Sequence, residues 1–395
     1  MTPFDLILGG VPRFEAEGPW AWRLARRFAR SVAASRFTEV RGRKPVVADA
    51  AGDSPLVLVW AEPEAYLAPP AARRLVATLE AFPSADLVLP VSNEAWTGDT
   101  RRAPPFAYST PSALIEAARL AADSASSPFP LPDPRSPVFV ARRASLARLP
   151  ASLALENAPA AIRHSGGRAL ADPGAYLHRY AEMDAQARDD LAEKVPNGAG
   201  AVLDVGCSRG ATAAPLRWRG VERIVGIEPD PEDASEAARR YDRVLACPLE
   251  EVPVGEFGPE FDAVLFGDVL EHLIDPSDAL VRVRPWLTGR GVVIASVPNV
   301  GNWAIVADLL AGRFDYVPYS LLSGTHVRHF TRSTLRDLFE ACGYAVASID
   351  TVSVPPSPGG AAKLALLSSW PEASGDLAVA EFVVVARPMS SEREQ

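Results

Sequence analysis

Residues 201–216 read AVLDVGCSRGATAAPL. Ala201–Val205 has the apolar, β-branched character of a strand. Gly206 and Gly210 break it, and the small apolar residues after Gly210 begin a helix. Glycine belongs where a turn is tight or where backbone must approach a ligand closely. A second strand, Arg223–Ile227, ends in Glu228-Pro229-Asp230. Glu228 lies 228 − 206 = 22 residues beyond Gly206, a spacing at which an acid at a strand end receives ribose hydroxyls. The pattern predicts a βαβ unit that binds a nucleoside. A pyrophosphate-binding dinucleotide loop needs Gly-x-Gly-x-x-Gly. Only Gly206 and Gly210 are present, which puts a nicotinamide dehydrogenase last among the readings.

Working outward, apolar runs recur at Arg243–Ala246, Phe261–Phe266, Gly291–Val297, Ala345–Ile349 and Glu381–Ala386, with helical patterns at Pro231–Tyr241, Pro276–Leu287 and Thr331–Cys342. Near-continuous apolar strands suit a sheet buried on both faces. The pattern predicts seven strands, doubly wound. No convincing helix precedes the last run, so it is expected to be an antiparallel edge strand. The N-terminal half has its own alternation: strands at Phe4–Leu8, Leu56–Trp60, Asp86–Pro90 and Val138–Ala141, and helices at Trp20–Ala34, Ala71–Ala81 and Ser112–Ala122. Proline clusters near 68–70, 103–105 and 128–137 mark its loops. The charged stretch AYLHRYAEMDAQARDDLAEKV reads as helix-forming and ends at the Asn197-Gly198 turn. The expected organisation is an α/β domain over 1–170, a helical linker over 171–198 and a second domain over 199–390.

The chain resembles the class I S-adenosylmethionine-dependent methyltransferases, whose first motif is a strand ending in (Asp/Glu)-x-Gly-x-x-x-Gly, here Asp204 to Gly210. The resemblance continues in register through Glu228 and Phe261-Asp262 to Asp268, Glu271 and His272. It then takes in Asp275-Pro276, Trp286-Leu287, Gly291 to Pro298-Asn299, and Thr325-His326-Val327-Arg328-His329-Phe330-Thr331 before Leu335 and Gly343-Tyr344. It implies a seven-stranded Rossmann-like α/β fold with S-adenosylmethionine as cofactor. Asp204, Gly206, Cys207 and Gly210 would hold the methionine end, Glu228 with Pro229 the ribose, and Asp268 would face the transferred methyl. Two departures stand out: Ser208 replaces the central glycine, and Ala246-Cys247-Pro248-Leu249-Glu250 lacks the acid that usually touches adenine.

His326 and His329 sit just before a helix capped by Thr331 or Ser333, and a histidine near neutral pKa is a natural base for a hydroxyl acceptor. Asp268, Glu271 and His272, at i, i+3 and i+4, project from one side of a helical turn. With a later histidine they resemble the magnesium site of certain RNA 2′-O-methyltransferases and ubiquinone-type O-methyltransferases. Glu-His also frames the pocket in metal-free relatives, and the expectation taken is no metal. The insertion 299–324, with Trp303, Phe314, Tyr316 and Tyr319, stands where substrate lids grow, and Asp262 and Cys342 are read as structural.

Residues 1–165 resemble a degenerate GT-A glycosyltransferase. Glu62-Pro63-Glu64 stands in place of its Asp-x-Asp metal motif, Val138–Arg143 matches a later strand and His178 a late histidine. That implies a sugar-binding or docking domain.

The 395 residues carry 40 basic and 49 acidic side chains, a net charge of −9 without basic runs, which argues against nucleic-acid binding. Three scattered cysteines make neither a disulfide framework nor a zinc set. No apolar run is long enough for a membrane span and the N-terminus lacks signal-peptide character, so a cytoplasmic location is expected. The function expected is methyl transfer to an acceptor hydroxyl, on a sugar or glycan precursor. The rivals are a phenol or natural-product O-methyltransferase, a glycosyltransferase using Glu62 and Glu64, and a non-catalytic cofactor-binding protein.

Overall fold

The computed structural model describes residues 2–11, 20–62, 65–93, 110–123, 126–179, 186–317 and 320–389. The chain divides into two compact units. One comprises residues 1–181 with 314–324 and 356–361, the other 182–313 with 325–355 and 362–395.

The N-terminal unit is built on strands β1 (Phe4–Val11), β2 (Arg36–Arg41), β3 (Leu56–Trp60), β4 (Ala65–Leu67), β5 (Leu87–Ser92), β6 (Phe129–Pro130), β7 (Val138–Arg142) and β8 (Ala169–Arg179). Their order is β2-β1-β3-β7-β5-β8-β4, with β6 paired to β8. Strands β1, β2 and β3 run parallel, while β7 enters antiparallel between β3 and β5. Apolar side chains alternate to both faces. Leu56, Leu58 and Trp60 pack on one side with helix Pro69–Ala81, and Val57 and Val59 on the other with Leu155 and Ile162.

The expected helical linker is corrected here. Residues 169–179 form β8, parallel to β5, and of the later residues that are described only Asp189–Ala192 form a short helix. Charge disguised the strand. Asp172 is fully buried, yet it accepts from Arg74 Nε (3.0 Å), Thr78 Oγ1 (2.5 Å) and the Gly174 N–H (2.9 Å). His178 pairs with Tyr66 across β4, and burial alone pushes its imidazole down to about 3, so it is neutral. Glu62 follows β3; Pro63 and Glu64 lie outside the described residues.

The C-terminal unit holds β9 (Ala201–Val205), β10 (Arg223–Ile227), β11 (Arg243–Leu245), β12 (Phe261–Gly267), β13 (Leu287–Pro298), β14 (Tyr344–Ser353) and β15 (Val379–Pro388) in the order β11-β10-β9-β12-β13-β15-β14. The seven expected strands are present. β15 is antiparallel to both neighbours but lies between β13 and β14, so the edge is β14. A helix at Pro358–Ser368 does precede β15; its weak apolar periodicity hid it. The sequence also marks the helix starts. Asp230 accepts from the Glu232 and Asp233 N–H groups, Asp275 from those of Ser277 and Asp278, and Pro231 and Pro276 follow each cap. Thr331, rather than Ser333, caps Arg332–Ala341. Asp262 accepts from the Gly200 N–H (2.8 Å) and Thr288 Oγ1 (3.1 Å), a structural tie. Among the described residues no helix is long and apolar enough to cross a membrane.

Removing the Asp172 carboxylate strands the Arg74 guanidinium. Asp172→Ala is expected to lower stability by about 3 kcal/mol, read as a shift of the urea midpoint against wild type.

Candidate active site

In the C-terminal sheet, β9 has its successor β10 on one side and β12 on the other, so the winding reverses there and leaves a crevice at the C-terminal strand ends. Asp204 lies near the end of β9, Glu228 follows β10 and Asp268 follows β12.

The loop after β9 turns through Gly206 (φ +71°), Ser208 (φ +45°) and Gly210 (φ +77°). A Cβ at Gly206 would come within 2.6 Å of Val269 Cγ2, and one at Gly210 within 2.7 Å of the Tyr241 ring. Ser208 takes a left-handed conformation that costs a side chain strain, which explains why the motif has a glycine there. Strain held by its surroundings is frequent at ligand sites.

Glu228 is buried. Its Oε2 accepts from the Ser208 N–H (2.8 Å) and its Oε1 from the Asp230 N–H (2.9 Å). Burial raises its pKa while those two N–H groups act against the rise. Asp204 accepts from the Tyr241 hydroxyl (2.6 Å), and burial lifts it to about 6, with Tyr241 again pulling the other way. Cys207 is buried and its thiol is pushed up by burial, so it stays an uncharged apolar contact. Pro229 carries the chain from Glu228 into the Asp230 cap.

Asp268 is left-handed (φ +54°) and clasped on three sides. Its N–H donates to Ser296 Oγ (2.9 Å), that hydroxyl donates back to Asp268 Oδ1 (2.8 Å), and Arg188 Nη1 donates to Oδ2 (2.5 Å). Arg188 also holds Asp190 and Glu381. Sequence reading did not single out Arg188, Ser296, Glu381 or Tyr241 as site residues. Ser296 lies within the matching stretch Gly291–Asn299 but carries no signal of its own, and Arg188 lies in the stretch taken for a linker.

The expected helical turn is a single 3-10 turn, Leu270–His272. It separates the acids: Asp268 goes to Ser296 and Arg188, while Glu271 and His272 meet His326 with ligand atoms within 4.8 Å of one another. The His272 and His326 rings pack edge to face at 4.8 Å. Glu271 is 1% exposed, and neither carboxylate oxygen has a partner among the described residues. The backbone carbonyl of Glu271 accepts from the Val327 and Arg328 N–H groups, which seats the histidine loop. His329 is exposed and outside this cluster. Such a carboxylate and imidazole set has the chemistry to hold a divalent cation. In the insertion, Trp303–Leu310 is helical, Phe314 and Tyr316 stack edge to face, and Tyr319 lies outside the described residues.

The crevice fits the nucleoside cofactor. A glycine cradle admits close approach, a buried acid stands at a ribose spacing, and Ser208 Oγ is buried without a partner among the described residues. The fold and site define a Rossmann-like nucleoside-binding domain. Residues 176–349 match the family model described as a methyltransferase domain. That match takes in 174 of the 395 residues, and over it the chain is similar to methyltransferases, with S-adenosylmethionine as the cofactor.

A ubiquinone biosynthesis O-methyltransferase of Bradyrhizobium diazoefficiens is 33% identical over 128 residues, covering 32% of this chain and 49% of that one. The human mitochondrial protein of that name is 27% identical over 180 residues, covering 41% and 48%. The chain thus spans about half the length of the curated relatives it matches. A solved S-adenosylmethionine-dependent methyltransferase of Archaeoglobus fulgidus aligns over 50% of this chain and 90% of its own, at 16% identity and a TM-score of 0.38.

Because folding raises Asp204 from 3.8 to about 6, the folded state holds its proton more tightly, and this residue's contribution to stability falls as pH rises across that interval. Tyr241→Phe removes the bond that offsets the cost of ionising it. The expected loss is about 2 kcal/mol above pH 6 and less at pH 5, measured by urea unfolding at both pH values.

Proposed function

We propose that this protein transfers a methyl group from S-adenosylmethionine to an acceptor hydroxyl. The observation that carries the reading is Glu228, fastened by the Ser208 and Asp230 N–H groups beside a glycine cradle at the sheet's switch point. Each of its oxygens has a second lone pair able to accept a ribose hydroxyl. When bound, the cofactor supplies an electrophilic methyl carbon on a sulfonium.

The chain's own residues then do three things. The Gly206–Gly210 backbone and Cys207 hold the methionine end. Asp268, clasped by Ser296 and Arg188, faces the methyl-transfer position and orients the acceptor. His326, buried against His272, takes the acceptor's proton, with His329 a second candidate on the same loop. Placing the nucleophile in line and removing its proton are most of what this chemistry asks of a protein.

An oxygen acceptor is supported by the relatives, which bear the name O-methyltransferase. A hydroxyl on a sugar or glycan precursor is supported by the resemblance of residues 1–165 to a sugar-handling domain, which would then serve binding or docking. A phenol is the alternative acceptor. A divalent cation on Glu271, His272 and His326 is a second reading of the base, favoured by their convergence and by Glu271's unpartnered carboxylate.

Calorimetric titration with S-adenosylhomocysteine is expected to show saturable micromolar binding that Glu228→Ala abolishes. Binding of NAD or a UDP-sugar instead would reject the reading. Methyl transfer assayed on sugars and on phenols, with and without magnesium, separates the acceptor classes and tests the cation.

A further inference from the structure

Three carboxylates gather around one guanidinium after β12. Arg188 Nη2 reaches Asp190 at 2.8 Å and Glu381 at 2.5 Å, and Nη1 reaches Asp268 at 2.5 Å. Nearby in the chain, Glu271 is almost wholly buried with both oxygens unpartnered among the described residues. These acids come from separate elements. Asp190 stands on the short helix 189–192, Asp268 and Glu271 on the turn after β12, and Glu381 on β15, opposite Pro298 and Val352. His272 and His326 flank Glu271. Arg188 is the only permanent cation bonded to Asp190, Asp268 and Glu381 among the described residues, so the three carboxylates share a single positive charge. Glu381 registers the surplus: burial, then the Asp268 charge, raises it to about 7 even though Arg188 bonds to it.

A surplus of negative charge held by the fold stabilises a cation placed beside it and does little for a neutral ligand of the same shape. We infer that Asp268 and Glu381 make this site select the cationic form of its ligand over the neutral one, which relieves inhibition by the product. The inference rests on the reading of the domain as a methyl-transferring site for S-adenosylmethionine. Transfer breaks the carbon–sulfur bond and forms the carbon–oxygen bond. The electron pair stays on sulfur and the hydroxyl proton passes to a base. The ligand thereby loses the charge that the cluster matches. Arg188 balances part of the cluster while a net attraction for a cation remains.

The test is calorimetric titration of the full chain with three ligands of closely related shape: S-adenosylmethionine, S-adenosylhomocysteine, and sinefungin, which carries an ammonium near the position of the sulfonium. Wild type is expected to bind sinefungin at least about fivefold more tightly than S-adenosylhomocysteine. Glu381→Gln and Asp268→Asn keep side-chain shape, and asparagine tolerates the left-handed backbone of Asp268. Each is expected to weaken both cationic ligands by roughly fivefold to tenfold while S-adenosylhomocysteine stays within about twofold. Equal changes for all three ligands would overturn the inference and reduce the cluster to a structural tie. So would a wild type without preference, a result that does not depend on any variant folding. A wild type that binds none of the three overturns the cofactor reading itself, and is distinct from either.

Discussion

The N–H groups of Ser208 and Asp230 converge on one carboxylate, and the C-terminal site depends on that convergence. Both belong to chain just beyond a strand end, where no ladder partner remains to satisfy them, and Glu228 supplies the acceptor. Bringing the Ser208 N–H round to Glu228 requires a left-handed turn through Gly206, Ser208 and Gly210, and the turn leaves backbone exposed to whatever enters the crevice. A ligand hydroxyl that meets Glu228 meets an acceptor already oriented, so little ordering entropy is lost on binding.

The same economy governs the opposite side of the crevice. Asp268 leaves β12 in a conformation that asparagine, aspartate and glycine tolerate best, and Ser296 answers both its N–H and its carboxylate with one hydroxyl. Ser296 is fully buried on β13, so the clasp inherits the rigidity of the sheet. Arg188 then connects Asp268 to Glu381 on β15, joining groups that lie far apart in sequence.

Much of the C-terminal sheet was legible because its strands are apolar on both faces and its helices begin with Asp-Pro pairs that announce their caps. The motif acids were legible because their spacing follows from one strand, one turn and one helix. The position of β15 was not, since strand order depends on long-range pairing that periodicity does not encode. β8 was hidden for a different reason: its buried Asp172 is paired with Arg74, and a charged residue inside a strand looks like surface until its partner is known. Arg188 and Glu381 escaped notice likewise, because their meaning lies in each other and in Asp268. Tyr241 was visible only as the end of a helix, and its bond to Asp204 crosses 37 residues.

The antiparallel β15 sits inside the sheet rather than at its margin, and β14 touches the rest of that sheet only through it. Some eighty residues separate the end of β13 at Pro298 from the start of β15 at Val379. On a ribosome adding about 5–20 residues per second, β13 and then β14 emerge as unpartnered edges and wait several seconds for the strand that joins them. Open edges of this kind invite pairing with other chains. The C-terminal sheet is therefore completed late in synthesis, and a nascent chain stalled before residue 379 would be a client for chaperones rather than a smaller folded domain.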